Sequence, residues 1–480
     1  MPGSTPPIDF LAEIKWRGLL HQCTDEPGLR AHLANPAAEP RHAYAGFDPT
    51  ADSLTIGNLV PIMLLVHFQR AGHVPVVVMG GGTGLIGDPS GKSAERQLFS
   101  EQQVRDHVEA QRPIFERIFT NAAAASASST PARGTGVPPV PIKPPTPVIL
   151  NNLDWLGKLG YLEVLRDVGK HFSVNMMIQK DSVRERLHAR DQGISYTEFS
   201  YMVLQGYDFM QLRRSSRVTL QVGGSDQWGN IVEGIRLIRS RLSHGMVPPG
   251  RSLDEHLRLI NEEATAFGLT APLVTKSDGG KFGKSESGAV WLTPERTSPY
   301  AFYQFWLNAA DADAGRFLRM FTLLDRPTIE ALEARHAQNP AAREAQRVLA
   351  REATTLVHGK TETEKAEAAA KALFGGGTSG GGSGGGAAFE ALIEAMADVP
   401  SRAIERSSLD AEGTPILDAI AFAPIAASKR EAREHLQTGA ISVNGERVGS
   451  DYRLTTKDLL KGGVIAIRRG KKTWLLLRAG

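Results

Sequence analysis

Apolar and polar positions along this chain follow two rhythms, and the changes between them mark its elements. Around Ile8–His21 apolar residues recur every three to four positions, which predicts an amphipathic helix. Leu59–Val66 repeats that spacing and should end near Ala71-Gly72, whereas His73–Met79 (HVPVVVM) is a β-branched run flanked by glycine, as expected of a buried parallel strand. Ahead of that helix, Tyr44–Pro61 (YAGFDPTADSLTIGNLVP) reads as a strand end, a turn and a helix start, punctuated by Gly46, Asp48, Pro49, Asp52 and Ser53. Unpaired N–H groups and the helix dipole at such a start favour phosphate, although an ordinary structural turn has the same look. Strand, helix, strand opens a doubly wound parallel sheet, so the fold class expected is α/β and Rossmann-like.

Further on, SYTEFSYMVLQGYDFM at 195–210 predicts a helix with Tyr201, Gln205 and Asp208 at i, i+4 and i+7. A phenol, an amide and a carboxylate on one face suit polar recognition; the alternative is a solvated face beside a core of Phe199, Met202 and Phe209. Val218–Val222 is a strand, and GGSDQWGN after it puts polar residues at a strand's carboxyl end, the usual ligand edge of such sheets. Lys281 and Lys284 sit in a glycine-rich loop (TKSDGGKFGKS), which is either a mobile element closing on an anion or a plain surface loop.

Between and beyond these elements the text changes character. Ala122–Pro147 (AAAASASSTPARGTGVPPVPIKPPTP) cannot bury enough apolar surface to order itself and predicts a flexible insertion. Ordered helices should resume at Asn152–Trp155 and Leu162–His171. Residues 293–374 read as helical, with Phe302, Tyr303, Phe305 and Trp306 in a core, and GGGTSGGGSGGG from Gly375 is a linker followed by a short helix at Ala388–Ala397. The expected domains are therefore 1–292, 293–374, a linker region at 375–412, and 413–480. That last segment carries 12 Lys/Arg against six acids. Ser428 can cap a helix that places Lys429 and Arg433 on one face, with Gly439 as its stop, and ISV-NG-ERV then reads as a hairpin. Lys429, Arg430 and Arg433 on a helix-plus-hairpin module point to RNA; a solvated basic face is the alternative.

Composition narrows the classes. Net charge is only +3, from 55 Lys+Arg and 52 Asp+Glu, so any nucleic-acid surface is local. One cysteine, Cys23, excludes a disulfide framework and a Cys-rich zinc site and fits a reducing cytosol. No apolar run approaches the roughly 20 residues that cross a bilayer, and the N-terminus lacks the basic and apolar regions of a secretory signal, so a cytoplasmic protein without membrane contact is expected. Two decoys fall away. Gly82, Gly84 and Gly87 satisfy G-x-G-x-x-G, but Asp88-Pro89 interrupts the helix a dinucleotide site requires. The segment Gly87 to Ser93 is one residue short of a P-loop, and Ser225 does not sit in G-x-S-x-G.

Taken together, Tyr44–Asn58, GGTGLIGDPSGK at 81–92, FSYMVLQGYDF at 199–209, LQVGGSDQWGN at 220–230 and KFGKSESGAVW at 281–291 resemble, in this order, bacterial-type tyrosyl-tRNA synthetase. DVGKHFSVN at 167–175 and SPYAFYQFWLN at 298–308 are similar to the same family, and Ser428–Arg447 resembles its C-terminal S4 RNA-binding module. The resemblance implies a Rossmann-like catalytic domain, an α-helical domain and an α+β S4-like domain, working as a homodimer. It implies tyrosine activation by ATP and transfer to tRNA(Tyr), with Mg²⁺ arriving on ATP and no protein-bound metal. By the same resemblance, Tyr44 and Asp208 meet the substrate phenol, Asp88, Tyr201 and Gln205 hold its ammonium, and Gln221, Gln227 and Asp48 line the tyrosine cleft. Gly46, Gly224 and Asp226 serve the adenosine and ribose; Thr50, Lys281 and Lys284 neutralise pyrophosphate; Thr55, Gly57 and Asn58 form the signature at the helix start. That signature departs from the family: where it has His, an apolar residue, Gly, then His or Asn, this chain has Thr55-Ile56-Gly57-Asn58. A non-catalytic RNA-binding protein that keeps the fold is the alternative from another class, and a tryptophanyl relative is the nearest enzyme rival.

Overall fold

The computed structural model describes residues 8–35, 39–88, 99–128, 144–180, 183–184, 187, 193–242, 263–280, 282–285, 288–374, 401–410, 412–422, 424–444, 446–460, 463–470 and 473–480. The chain divides into two compact units, residues 1–296 with 307–357, and 297–306 with 358–480, so the residues expected as a separate helical domain fall in both.

In the first unit, six strands make one sheet: β1 (Gln22–Cys23), β2 (His42–Phe47), β3 (Val74–Met79), β4 (Val148–Asn151), β5 (Val218–Gly224) and β6 (Phe267–Ala271). Their order is β1-β6-β5-β2-β3-β4, all parallel except β1, which runs antiparallel to β6 at the edge. Successive strands depart from β2 in both directions, so the point where the order reverses lies between β2 and β5. In open parallel sheets the ligand crevice forms outside the carboxyl ends of the strands at that point.

Helices cover the sheet. α1 (Phe10–Trp16) is shorter than the expected Ile8–His21 helix because the chain leaves helical geometry at Gly18, whose φ is +73°. α2 (Glu26–Leu33) follows, and α3 (Leu59–Arg70) is the β2–β3 crossover, with ten of its residues buried. An apolar stripe that wide has to be covered on both sides. α3 packs on β2, β3 and β5, while Phe10 of α1 meets Phe68 edge-on at 5.2 Å. α4 (Glu101–Ser128) corrects one expectation: the insertion read as flexible from Ala122 is helical through Ser128. Alanine has the highest helix propensity of any residue, so the Ala-Ser run extends a helix already nucleated upstream. Residues 129–143 of that insertion, the glycine linker and the helix expected at 388–397 lie outside the described residues.

α5 (Tyr196–Ser215) starts at Ser195, whose hydroxyl accepts from the Glu198 N–H at 3.2 Å, and packs closely on α6 (Trp228–Leu242). The approach depends on two glycines: a Cβ at Gly206 would lie 2.9 Å from Phe172 Cζ, and the Cα of Gly234 is 3.6 Å away. Between these helices and the sheet, Met202, Phe209, Leu212, Ile231 and Ile235 form a core with Tyr44. Among the described residues no helix is long and apolar enough to cross a membrane.

The second unit ends in a five-stranded sheet ordered Glu446–Arg447, Ile441–Val443, Val464–Arg469, Thr473–Ala479, Ser401–Ile404. The expected hairpin is present, with Ser442 opposite Arg447 and Asn444 at φ 48° in its turn. The helix Lys429–Gln437 is capped by Ser428 as expected, and its Ala432 and Leu436 pack on Ile441, Ile465 and Leu475.

Candidate active site

Three groups of side chains meet at the carboxyl ends of β2, β3, β4 and β5, and each is built by a local rule. The first surrounds Asp208. Tyr44 projects from β2, is 1% exposed, and its hydroxyl has no hydrogen-bond partner. Asp208 projects from α5 and is also buried. Its Oδ1 accepts from Trp155 Nε1 at 2.7 Å and its Oδ2 from Asn152 Nδ2 at 2.9 Å. Burial pushes this carboxyl up to about 7; the Asn152 and Trp155 donors pull it down by less, and the Asp48 charge adds to the rise. Burial, then the Asp208 charge, holds the Tyr44 phenol well above its usual range. A carboxylate has about four lone-pair sites, so Asp208 keeps acceptor capacity beside a phenol O–H that is desolvated and unpaired. Leaving such a donor unsatisfied costs about 1–3 kcal/mol, which a ligand hydroxyl would recover.

The second group links β2 to α5 and the loop after β3. Tyr201 donates to Asp48 Oδ2 at 2.9 Å, and Thr83 donates to Asp48 Oδ1 at 2.7 Å. Asn152 ties this group to the first, donating to Thr83 Oγ1 at 3.0 Å and accepting from the Gly82 N–H at 2.7 Å. Burial, then the charges of Asp48 and Asp88, keep the Tyr201 phenol protonated far into the alkaline range. Negative charge concentrated around one phenol suits an ammonium group.

In the third group, Gln227 Nε2 donates to Asp88 Oδ2 at 2.7 Å, and Asn230 Nδ2 donates to Gln205 Oε1 at 2.9 Å and to Gln227 Oε1 at 3.4 Å. Gln221 on β5 is buried with its Oε1 unpaired. Asp226 is exposed beside Gln227, 3.3 Å from its Nε2. Gly46 is exposed on β2, where a Cβ would project into open space. Gly224, at the end of β5, lies close to the Asp226 carboxylate. The solvated-face reading of α5 is thus overturned for Tyr201 and Asp208, which are 6% and 4% exposed.

The turn after β2 faces the same edge. Thr50 is exposed, and its N–H donates to Asp48 O at 2.9 Å; α4 supports the turn from behind through Gln111, which donates to Ala51 O at 2.8 Å. Thr55 and Asn58 are half-buried and Gly57 is exposed. The lysine segment approaches this turn as a hairpin, β7 (Lys284–Ser285) against β8 (Gly288–Ala289). Its outgoing strand pairs with the turn: Ile56 N–H donates to Val290 O at 2.9 Å and Leu292 N–H to Leu54 O at 2.8 Å. Gly283 has φ +82°, and a Cβ there would stand 2.7 Å from Ile56 Cγ2, so only glycine fits. Phe282 anchors the loop by stacking on Phe321 at 5.3 Å, and Asp313 accepts from both the N–H and the hydroxyl of Ser277 at 3.0 Å. Lys281 and the side chain of Lys284 lie outside the described residues. Lys429, Arg430 and Arg433 are exposed on one helix of the other unit, where Lys429 pairs with Asp418 at 2.6 Å.

Reasoning from the sequence missed Thr83, Asn152, Trp155 and Asn230. No local signal marked Asn152, because the strand before it is only half-buried and its partner Asp208 is 56 residues away.

Comparison with known proteins identifies the family of the chain. Residues 36–375 match the family of class I tRNA synthetases (W and Y), and residues 392–477 match the SYY-like C-terminal domain of tyrosine--tRNA ligase. The chain is 45% identical over 472 residues to tyrosine--tRNA ligase of Geobacillus kaustophilus, covering 98% of this chain and all of that one. It is 44% identical over 471 residues to the enzyme of Roseiflexus castenholzii, covering 98% and 99%. A C-terminally truncated Aspergillus nidulans mitochondrial tyrosyl-tRNA synthetase superposes with TM-score 0.65 at 28% identity, over 76% of this chain and 94% of that one. The corresponding Coccidioides posadasii protein gives 0.60 at 30%, over 75% and 91%. These matches lend no support to the non-catalytic alternative. The chain belongs to the tyrosine--tRNA ligases of the class I tRNA synthetases.

Proposed function

We propose that this chain activates L-tyrosine with ATP and passes the tyrosyl group to the 3′-terminal adenosine of tRNA(Tyr) in the cytoplasm, with the following division of labour. Tyr44 donates to the substrate phenol oxygen and Asp208 accepts a hydrogen bond from its O–H; the observation that carries this reading is the buried, unpaired Tyr44 hydroxyl beside a carboxylate with spare acceptor capacity. Phenylalanine would leave both unsatisfied, an asymmetry of which the tyrosine enzymes of this family are themselves the standing illustration. Asp88, Tyr201 and Gln205 hold the ammonium, Asp48 fixes Tyr201, and Gln221 and Gln227 close the pocket. Gly46, Gly224 and Asp226 accommodate adenosine and ribose.

The tyrosine carboxylate oxygen then attacks the α-phosphorus. A P–O bond forms to it, the bond to the β-phosphate bridging oxygen breaks, and pyrophosphate leaves with the electron pair. No general base is needed, so the protein contributes placement and charge neutralisation. Thr50, Thr55, Gly57, Asn58, Lys281 and Lys284 supply these along the turn and the lysine hairpin. Mg²⁺ enters as the ATP complex, held through phosphate oxygens, and offsets charge developing on pyrophosphate. Tyrosine-dependent exchange of pyrophosphate into ATP, with tryptophan as the comparison amino acid, tests the assignment; exchange driven better by tryptophan contradicts it.

Catalytic residues 1–292, a helical part at 293–374 and an RNA-binding tail at 413–480 complete this reading. Lys429, Arg430 and Arg433 contact tRNA phosphates, so removing residues after Gly386 should weaken tRNA binding, and the intact chain should bind less tightly as salt rises. Filter binding across a salt series measures both; unchanged affinity in the shortened chain contradicts the role of the tail.

The homodimer has a physical warrant in an apolar surface of the first unit. Leu162 is 78% exposed and Tyr196 62%, with Tyr161, Leu165, Val174 and Ile178 also exposed. The Tyr196 phenol is pushed up chiefly by its neighbour Tyr161, so the two segments lie side by side. Contiguous apolar exposure of this kind marks an interaction site. Leu162→Glu with Tyr196→Glu should shift the sedimenting species from dimer to monomer; a dimer that persists contradicts this face as the interface.

A further inference from the structure

We propose that Thr55 is a positioning residue that makes the Asn58 amide the phosphate-facing hydrogen-bond donor of the signature turn, taking over from the imidazole that the family's motif places at position 55. The inference rests on the adenylate-forming role proposed above for this turn and adds what its departure from the motif does.

Asn58 Oδ1 lies 3.0 Å from the Thr55 backbone N–H and 3.0 Å from the Thr55 hydroxyl. A backbone N–H can only donate, so the amide atom facing it has to be the oxygen. The orientation of the Asn58 amide is therefore set by chemistry, and its NH₂, with two donors, occupies the other arm. The Thr55 hydroxyl proton is committed to the same Oδ1, so toward an anion that hydroxyl offers only lone pairs. Thr55 thus contributes to phosphate through Asn58 rather than by contact. An imidazole at position 55 would reach outward; the threonine turns inward and holds its neighbour.

The surrounding backbone keeps the pair in register. Bonds from Ile56 to Val290 and from Leu292 to Leu54 fix the turn on both sides of Thr55. Asp52 is ion-paired with Arg296, whose guanidinium stacks 4.5 Å above the Trp291 ring. Asn58 stands where α3 begins, so its NH₂ adds two donors to a helix start already favourable to phosphate.

The test is a double-mutant cycle on tyrosine-dependent pyrophosphate exchange, with tyrosine KM measured alongside. Thr55→Val keeps the branched shape and the backbone N–H but removes the hydroxyl. It should lower kcat roughly fivefold to tenfold, as expected for one side-chain hydrogen bond, with tyrosine KM unchanged. Thr55→Ser restores the hydroxyl and should recover most of the rate. Asn58→Ala removes the donor itself and should lower kcat about a hundredfold. In the Asn58→Ala background Thr55→Val should then cost nothing further, because its effect passes through Asn58. Equal costs of Thr55→Val in both backgrounds, or no cost in the parent chain, overturn the inference while leaving the adenylate reaction intact. A parent chain that shows no tyrosine-dependent exchange removes the functional reading and the inference with it. Thermal unfolding of each variant separates loss of fold from loss of rate.

Discussion

Asp208→Asn is expected to lower kcat/KM for tyrosine by roughly tenfold to a hundredfold, the size of a lost hydrogen bond to a charged acceptor. The parent carboxylate receives Asn152 and Trp155 and keeps room for one more donor. An amide in its place turns one acceptor oxygen into a donor that faces donors already present. The effect also has a pH signature. Burial pushes the Asp208 carboxyl up to about 7, so in the free enzyme it loses its charge as pH falls through that value. The profile of kcat/KM reports groups of the free enzyme, so the parent should show an acid limb near pH 7 that the Asn variant lacks. The linkage to stability has the opposite sense to that of a paired carboxylate. The folded protein holds this proton more tightly than the unfolded chain between the ordinary carboxyl value of 3.8 and about 7. Destabilisation by Asp208 therefore grows as pH rises through that window and is absent below it. Steady-state kinetics from pH 5.5 to 8.5 on both proteins check the prediction; an acid limb that survives the substitution assigns it to another group.

Lys281→Ala should act on the other half of the reaction. A compact cation that meets the β- and γ-phosphates matters most where negative charge gathers on the leaving pyrophosphate, so the loss belongs to the rate of adenylate formation, about a hundredfold to a thousandfold. In the proposed pocket tyrosine lies beside Tyr44 and Asp208, away from the lysine loop, so its affinity should be nearly unchanged. Burst kinetics of adenylate formation alongside equilibrium tyrosine binding separate the two, and equal losses in both would remove Lys281 from the chemistry.

Much of the geometry of the candidate site is legible in the sequence, and the reasons are physical. β3 and β5 carry short apolar, β-branched runs that end in glycine-rich turns, and β2 ends in a turn punctuated by Asp48, Pro49, Asp52 and Ser53, so the strand ends and their polar edges are legible in the sequence. The face formed by Tyr201, Gln205 and Asp208 followed from helical spacing alone. Asn152 and Trp155 were not legible as site residues, because they reach Asp208 across separations of 56 and 53 residues. β1 is two residues long, too short for any periodicity, and its antiparallel pairing with β6 depends on tertiary contact. The Ala-Ser run at 122–128 was misread because composition that cannot build a core can still extend a helix whose apolar face is set upstream. Thr55 was read as a departure from a motif; the hydrogen bonds to Asn58 show where its hydroxyl goes.

Tyrosine-dependent exchange of labelled pyrophosphate into ATP, measured on the full chain and on the Lys281→Ala/Lys284→Ala double variant, tests the central claim most directly. The account predicts robust exchange with tyrosine, little with tryptophan or phenylalanine, and near-complete loss in the double variant with tyrosine binding retained. Exchange by the full chain no greater than that of the double variant would contradict it.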